Sequence, residues 1–146
     1  METVHKILQA KGHQIFSIQP DETVYHALEL LVEKNIGALM VTDAKGQYLG
    51  TVTERDYARK IVLKGRSSKE TPVREIMDTH PFVHEDTDIG EVMQKMTSRG
   101  FRQLPVIDTH GHLTGVISIG DIVRHIINEQ QFIIGNLENY ISGKPR

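Results

Sequence analysis

Residues 50–56 read GTVTERD and residues 115–121 read GVISIGD. In each, a glycine is followed three places on by a hydroxyl residue, and three places later by an aspartate. The positions are Gly50, Thr53, Asp56, then Gly115, Ser118, Asp121. Shifting the chain by 65 aligns residues 15–61 with 80–126 without a gap. Nine identities result, among them Asp21/Asp86, Leu39/Leu104, Val41/Val106, Gly46/Gly111 and Arg59/Arg124. Two copies of so long a period predict a pseudo-symmetric pair, not a stacked array.

Each copy reads as β-α-β-β-α. Phe16–Ile18 and Phe82-Val83 are short candidate strands, and Asp21 and Asp86 are candidate N-caps. Val24, Ala27, Leu28, Leu31 and Ile89, Val92, Met93, Met96 then recur at i, i+3, i+4, i+7, the stripe of an amphipathic helix. The apolar runs 38–41 and 104–107 end in turns, Asp43–Gly46 and Asp108–Gly111, and continue as Tyr48–Val52 and Leu113–Ile117, so each pair predicts a hairpin. Pro105 inside the second run predicts a strand end or an edge. A second helix follows near Glu54 and near Ile119. The fold class is therefore α/β.

Residues 63–72, with KGRSSKETP, are a polar linker between repeat 1 (4–62) and repeat 2 (73–128). Val73-Arg-Glu-Ile76-Met77 resembles Val4-His-Lys-Ile7-Leu8, now at an offset of 69, so the first copy carries four extra residues around Lys11–His13. Residues 129–146 form an apolar helical tail, with Gly135 expected to interrupt it.

The bulk composition excludes several functions. The chain has 146 residues, 38% apolar and 25% charged, with a formal charge of −2, so no basic footprint points to nucleic acid. There is no cysteine, hence no disulfide, thiolate ligand or cysteine nucleophile. No apolar run approaches the roughly 18 residues of a membrane span. The N-terminal METVHKILQAKG has neither a signal core nor Arg/Ser-rich transit character, so a cytosolic protein is expected.

Taken locally, Ser/Thr-x-x-Asp before an apolar helix is a capping box, and capping alone accounts for Thr53 and Ser118. A glycine three residues earlier adds room for close approach of another group to the backbone. A strand end meeting a helix N-terminus also presents free N–H groups and partial positive charge, which suit a phosphate. The hydroxyl can donate to that phosphate, and the carboxylate can accept from a vicinal pair of ribose hydroxyls.

The duplicated β-α-β-β-α pattern, VREIM and the paired G-x-x-[ST]-x-x-D resemble a tandem pair of CBS domains, a Bateman module, over roughly residues 4–128. The stretch 53–77 more narrowly resembles stand-alone two-CBS proteins of bacteria and plant organelles. The resemblance implies two repeats related by a pseudo-twofold axis. It also implies clefts that bind AMP, ADP, ATP, NAD or S-adenosylmethionine, with no cofactor required. On it, Asp56 and Asp121 hold ribose and Thr53 and Ser118 meet phosphate. Adenine lies near Gln14, Ile15 and Phe16 or near Thr79, His80 and Pro81. Arg55 and Gly120 stand before the aspartates, and only Arg55 adds charge. The loop Arg99–Gln103 places Arg102 and Gln103 where related modules contact phosphate, so the second site, with Ser118, Ile119, Gly120 and Asp121, is expected to dominate. Pairing of two chains into a flat disc through their helices is also implied, as are thioredoxin-type partners for some plant relatives.

Other signals are weaker. Eight histidines invite a metal, but His110 and His112 fall in a hairpin turn and the rest lack tight ligand spacing, so no metal site is expected. GTVTERD lacks the Walker lysine. No nucleophile with a base and an orienting group is evident, so no catalytic residue is expected. The leading expectation is a non-catalytic module that senses adenine nucleotides. The alternative is a protein-interaction adaptor with vestigial sites.

Overall fold

The structure, a computed structural model, describes residues 2–143. Helix α1 (Val4–Lys11) precedes β1 (Ser17–Ile18), α2 (Val24–Lys34) and the hairpin β2 (Ala38–Thr42) and β3 (Tyr48–Thr53). A short α3 (Glu54–Tyr57) continues as a π-helical turn over Ala58–Val62, and a 3-10 turn forms at Val73–Glu75. Then follow α4 (Ile89–Arg99), β4 (Gln103–Ile107), β5 (Leu113–Ser118) and α5 (Ile119–Ser142).

The two copies make matching sheets. In the first, β1 runs parallel to β2 and β2 antiparallel to β3. In the second, β4 and β5 pair antiparallel, with Ala38↔Thr53 in one register answered by Gln103↔Ser118 in the other. The expected strand at Phe82-Val83 shrinks to one parallel bridge, Val83↔Val106. Pro105 is buried in mid-strand, not at a strand end, and β4 is an edge strand of its two-stranded sheet, the expected alternative. The N–H and C=O of a strand residue point the same way, so its missing donor falls on the side where only Val83 pairs, through the Pro105 carbonyl at 3.0 Å.

The caps also differ from expectation. Thr23, not Asp21, caps α2 by accepting from the His26 N–H at 3.1 Å, and Asp88, not Asp86, is the N-cap of α4. Asp21 instead pairs with Arg74. Gly135 does not interrupt α5, which runs unbroken for 24 residues. Lys144–Arg146 of the expected tail lie outside the described residues.

The cores are built by exchange. Val4, Ile7 and Leu8 of α1 are buried not with the first copy but among Val83, Val92, Met96, Leu104, Val106 and Ile117. Val73 and Ile76 pack among Ile18, Val24, Leu31, Leu39, Val52 and Ile61 of the first copy. The repeat glycines make this possible. A Cβ on Gly50 would stand 3.0 Å from Met77 Sδ and 3.1 Å from the Asp78 carbonyl oxygen, and one on Gly115 would stand 3.1 Å from Leu8 Cδ1. The group whose close approach each glycine permits is thus the exchanged segment.

The linker folds back over α2. Its Thr71 and Ser68 carbonyls accept from the Val24 and Tyr25 N–H groups at 2.9 and 3.0 Å, satisfying donors that a helix start leaves free. The hairpin turns meet head-on: Tyr48 N–H donates to the Gly111 carbonyl at 3.2 Å and Leu113 N–H to the Gly46 carbonyl at 3.1 Å. The bridge between them joins Gln47 to His112, residues 65 apart, so the pseudo-twofold passes there.

Candidate functional site

Both motifs are capping boxes. At the first, Asp56 N–H donates to Thr53 Oγ1 at 3.1 Å, while Asp56 Oδ2 accepts from the Thr53 N–H at 2.9 Å. At the second, Asp121 N–H donates to Ser118 Oγ at 3.1 Å and Ser118 N–H to Asp121 Oδ2 at 2.8 Å. What distinguishes them is what else reaches the aspartates.

Asp121 is covered. Lys11 Nζ donates to Oδ2 at 2.6 Å and the Arg124 guanidinium to Oδ1 at 2.6 Å, so both carboxylate oxygens are taken. Lys11 also donates to the Val116 carbonyl at 2.7 Å. Burial alone would push the Asp121 carboxyl up, but the Lys11 ammonium and the Ser118 N–H hold it below the usual carboxylate range. Gly120 leaves room for this arrangement: a Cβ there would meet Arg124 Nη1 at 3.3 Å.

Asp56 is as buried as Asp121 and both its oxygens are engaged, Oδ2 by the Thr53 N–H and hydroxyl and Oδ1 by Lys60. Asp56 nevertheless borders an open cavity of about 640 Å³, with Thr53, Arg55, Arg59, Lys60, His80, Phe101, Arg102 and Gln103. Its Oδ1 lies 3.2 Å from Lys60 Nζ, which donates onward to Asp78 Oδ2 at 2.8 Å and the Ile76 carbonyl at 2.9 Å. Burial would lower the Lys60 pKa, but Asp78 and Asp56 outweigh it and raise it. Lys60 in turn lowers Asp78. His80 is half-buried, and desolvation lowers its pKa against the pull of Asp56 and Asp78. Its ring packs against Phe101 at a 45° tilt with centroids 4.5 Å apart, its backbone N–H donates to Tyr48 Oη at 3.2 Å, and its buried Nδ1 has no hydrogen-bond partner.

The structure thus brings together Thr53, Arg55, Asp56, His80, Arg102 and Gln103. Arg102, expected to serve Ser118 and Asp121, lines the first motif's cavity with Arg55, Arg59 and Lys60, whereas the cations at the second motif, Lys11 and Arg124, are bound to Asp121 itself. Thr79 and Pro81 share His80 with a second, shallower cavity of about 530 Å³, beside Lys95 and Arg99. Gln14 is exposed, Ile15 and Phe16 are half-buried, and Phe16 packs on the first core beneath Lys34. Ile119 is exposed at the start of α5. Sequence reasoning missed Arg59, Lys60 and Lys11. The first two stand three and four places after Asp56, one helical turn on, a signal that was available. Lys11 reaches Asp121 only through the exchange of α1, which no spacing announces.

The CBS-domain profile matches residues 11–63 and 73–128. The chain belongs to the CBS-domain family. The mitochondrial CBS domain-containing protein CBSX3 of Arabidopsis thaliana is 37% identical over 150 residues, covering 97% of this chain and 72% of that one. A CBS-domain protein from Burkholderia ambifaria MC40-6 superposes with a TM-score of 0.81 at 46% identity, covering 88% of this chain and 96% of that one. CBSX2, solved in complex with AMP, superposes with a TM-score of 0.73 at 28% identity, covering 89% and 99%. The tandem CBS fold, two α/β repeats about a pseudo-twofold, is therefore the fold of this chain. Among the described residues no helix is long and apolar enough to cross a membrane. Because the Arabidopsis relative is described as mitochondrial, a cytosolic location does not follow from family membership.

Proposed function

We propose that this CBS pair is a regulatory module that binds an adenine nucleotide, AMP foremost, in the cavity beside Asp56 and performs no chemistry on it. The observation that carries this reading is Asp56 in an open cavity of about 640 Å³ walled by Arg55, Arg59, Lys60 and Arg102. That volume suits a small-molecule ligand, and four cations suit its phosphate. Asp56 serves the ribose hydroxyls, Thr53 and the guanidinium groups serve the phosphate, and the His80–Phe101 pair offers the base an aromatic wall. The complex of CBSX2 with AMP supports the ligand class. ADP, ATP, NAD and S-adenosylmethionine are the competitors to be ranked.

Calorimetric titration of the full chain with each ligand tests this. AMP should bind with one equivalent per chain and remain unchanged after incubation. A folded protein that binds none of the five would overturn the reading and leave the adaptor alternative, a thioredoxin-type partner included. That alternative draws on Phe132, Ile133, Ile134, Leu137 and Ile141 of α5, all exposed. We assign this surface first to a second copy of the chain, as a homodimer.

A further inference from the structure

Past the second motif, α5 presents His125 and Glu129 one turn apart on one face, the i, i+4 spacing. Glu2 arrives opposite them, fixed by its carbonyl, which accepts from the Ile89 N–H at 3.0 Å. All three residues are half-buried, and one ligand atom from each lies within 4.8 Å of the others. His125 Nε2 is buried and has no hydrogen-bond partner; Glu2 Oε2, at 3.8 Å, is too far to be one. Buried polar atoms are normally paired, and this one stands unpaired beside two carboxylates.

A positive charge already sits between those carboxylates. Lys6 Nζ donates to Glu2 Oε1 at 2.9 Å and reaches Glu129 Oε1 at 3.5 Å, yet it leaves the imidazole nitrogen unused. We infer that Glu2, His125 and Glu129 form a site for a transition-metal dication, zinc in the first instance, which displaces the half-exposed Lys6 ammonium. One imidazole and two carboxylates are a donor set for zinc and its neighbours, not for calcium or magnesium, which prefer all-oxygen shells. Ligands about 2.1 Å from a tetrahedral ion stand roughly 3.4 Å from one another, so only small rotations of two glutamates close the site, with water in the fourth position. His125 binds through Nε2 with its proton on Nδ1. The ion fastens the segment ahead of α1 to α5 and so holds α1 against the second core.

The test uses the full chain, stripped with a chelator and dialysed, then titrated with zinc chloride by calorimetry while histidine ring resonances are followed by NMR. One equivalent should bind and the melting temperature should rise. His125→Asn and Glu129→Gln should each weaken binding by about tenfold or more. Lys6→Met should tighten it, because the competing ammonium is gone. The double variant His110→Ala, His112→Ala should change nothing. Unaltered affinity in Glu129→Gln and His125→Asn, or loss of binding in the hairpin variant, would overturn the site. If His125→Asn does not fold, Glu129→Gln and Lys6→Met, with their opposite signs, decide it alone.

Discussion

At the scale of single residues, the two matching motifs differ in what stands beside them, since Asp56 lines the open cavity and Asp121 does not. Asp56→Ala should remove hydrogen bonds to a charged group, each worth roughly 1.5–3 kcal/mol. AMP affinity measured by calorimetry should therefore fall about tenfold or more, since about 1.4 kcal/mol is a factor of ten. The 2′-deoxy analogue should bind the unmutated chain weakly and lose less. Asp121→Ala should leave AMP affinity near that of the unmutated chain, whereas Lys11→Met with Arg124→Met, which together release both Asp121 oxygens, should raise the binding stoichiometry towards two. Equal losses from Asp56→Ala and Asp121→Ala would refute this asymmetry. Each aspartate also completes a cap worth roughly 1 kcal/mol, so melting temperatures must accompany the binding data. His80 gives a pH signature. Because burial lowers its pKa in the fold, the unfolded chain holds more protons once pH falls below about 6.5. Its contribution is thus intact above that pH and declines below it. The melting temperature should drop on acidification from about pH 7.5 to 5. The drop should be smaller in His80→Phe, and a His80 ring titration at or above the ordinary midpoint would contradict the account.

At the scale of elements, the apolar periodicity of α2 and α4 and the hairpin turns were legible, because local pattern and burial agree there. Less legible were features set by distant partners. Val83 keeps only a bridge because the turn His84–Thr87 follows it at once, and α5 runs through Gly135 because one glycine costs a long helix only about 1 kcal/mol. The capping boxes were readable as caps, and they are caps. What covers Asp121 depends on Lys11, which arrives from 110 residues away. Likewise Leu8 opens the first repeat yet is fully buried in the second core, against Gly115. Leu8→Ala should cost about 2–5 kcal/mol in denaturant unfolding. Gly115→Ala should also destabilise, since its Cβ would meet Leu8. The double variant should lose less than the sum, because the added methyl enters the space Leu8 vacates. Simple additivity would mean that the two residues do not touch.

At the scale of the whole molecule, α5 has its last buried side chain at Ile122, yet it continues to Ser142 with large apolar residues exposed at 126, 127, 132, 133, 134, 137, 140 and 141. So extended an apolar surface suits the proposed pairing of two copies, and closed twofold pairing is the commonest assembly. Sedimentation at micromolar concentration should therefore report about twice the 16.5 kDa of one chain, and Ile134→Glu with Leu137→Glu should return it to the monomer mass. A wild-type chain that sediments only at monomer mass would rule out the pairing. The exchange of α1 and the Val73–Ile76 segment bears on how the chain could be divided. A cut in the exposed stretch Lys64–Arg66 yields two pieces, each holding a part the other's interior lacks. Apart, residues 1–65 carry Val4, Ile7 and Leu8 with nothing to bury them, and should be unfolded or aggregated. Mixed in equal amounts, the two fragments should recover native circular dichroism and AMP binding together, like a lock sold in two halves whose pins sit in the opposite cylinders.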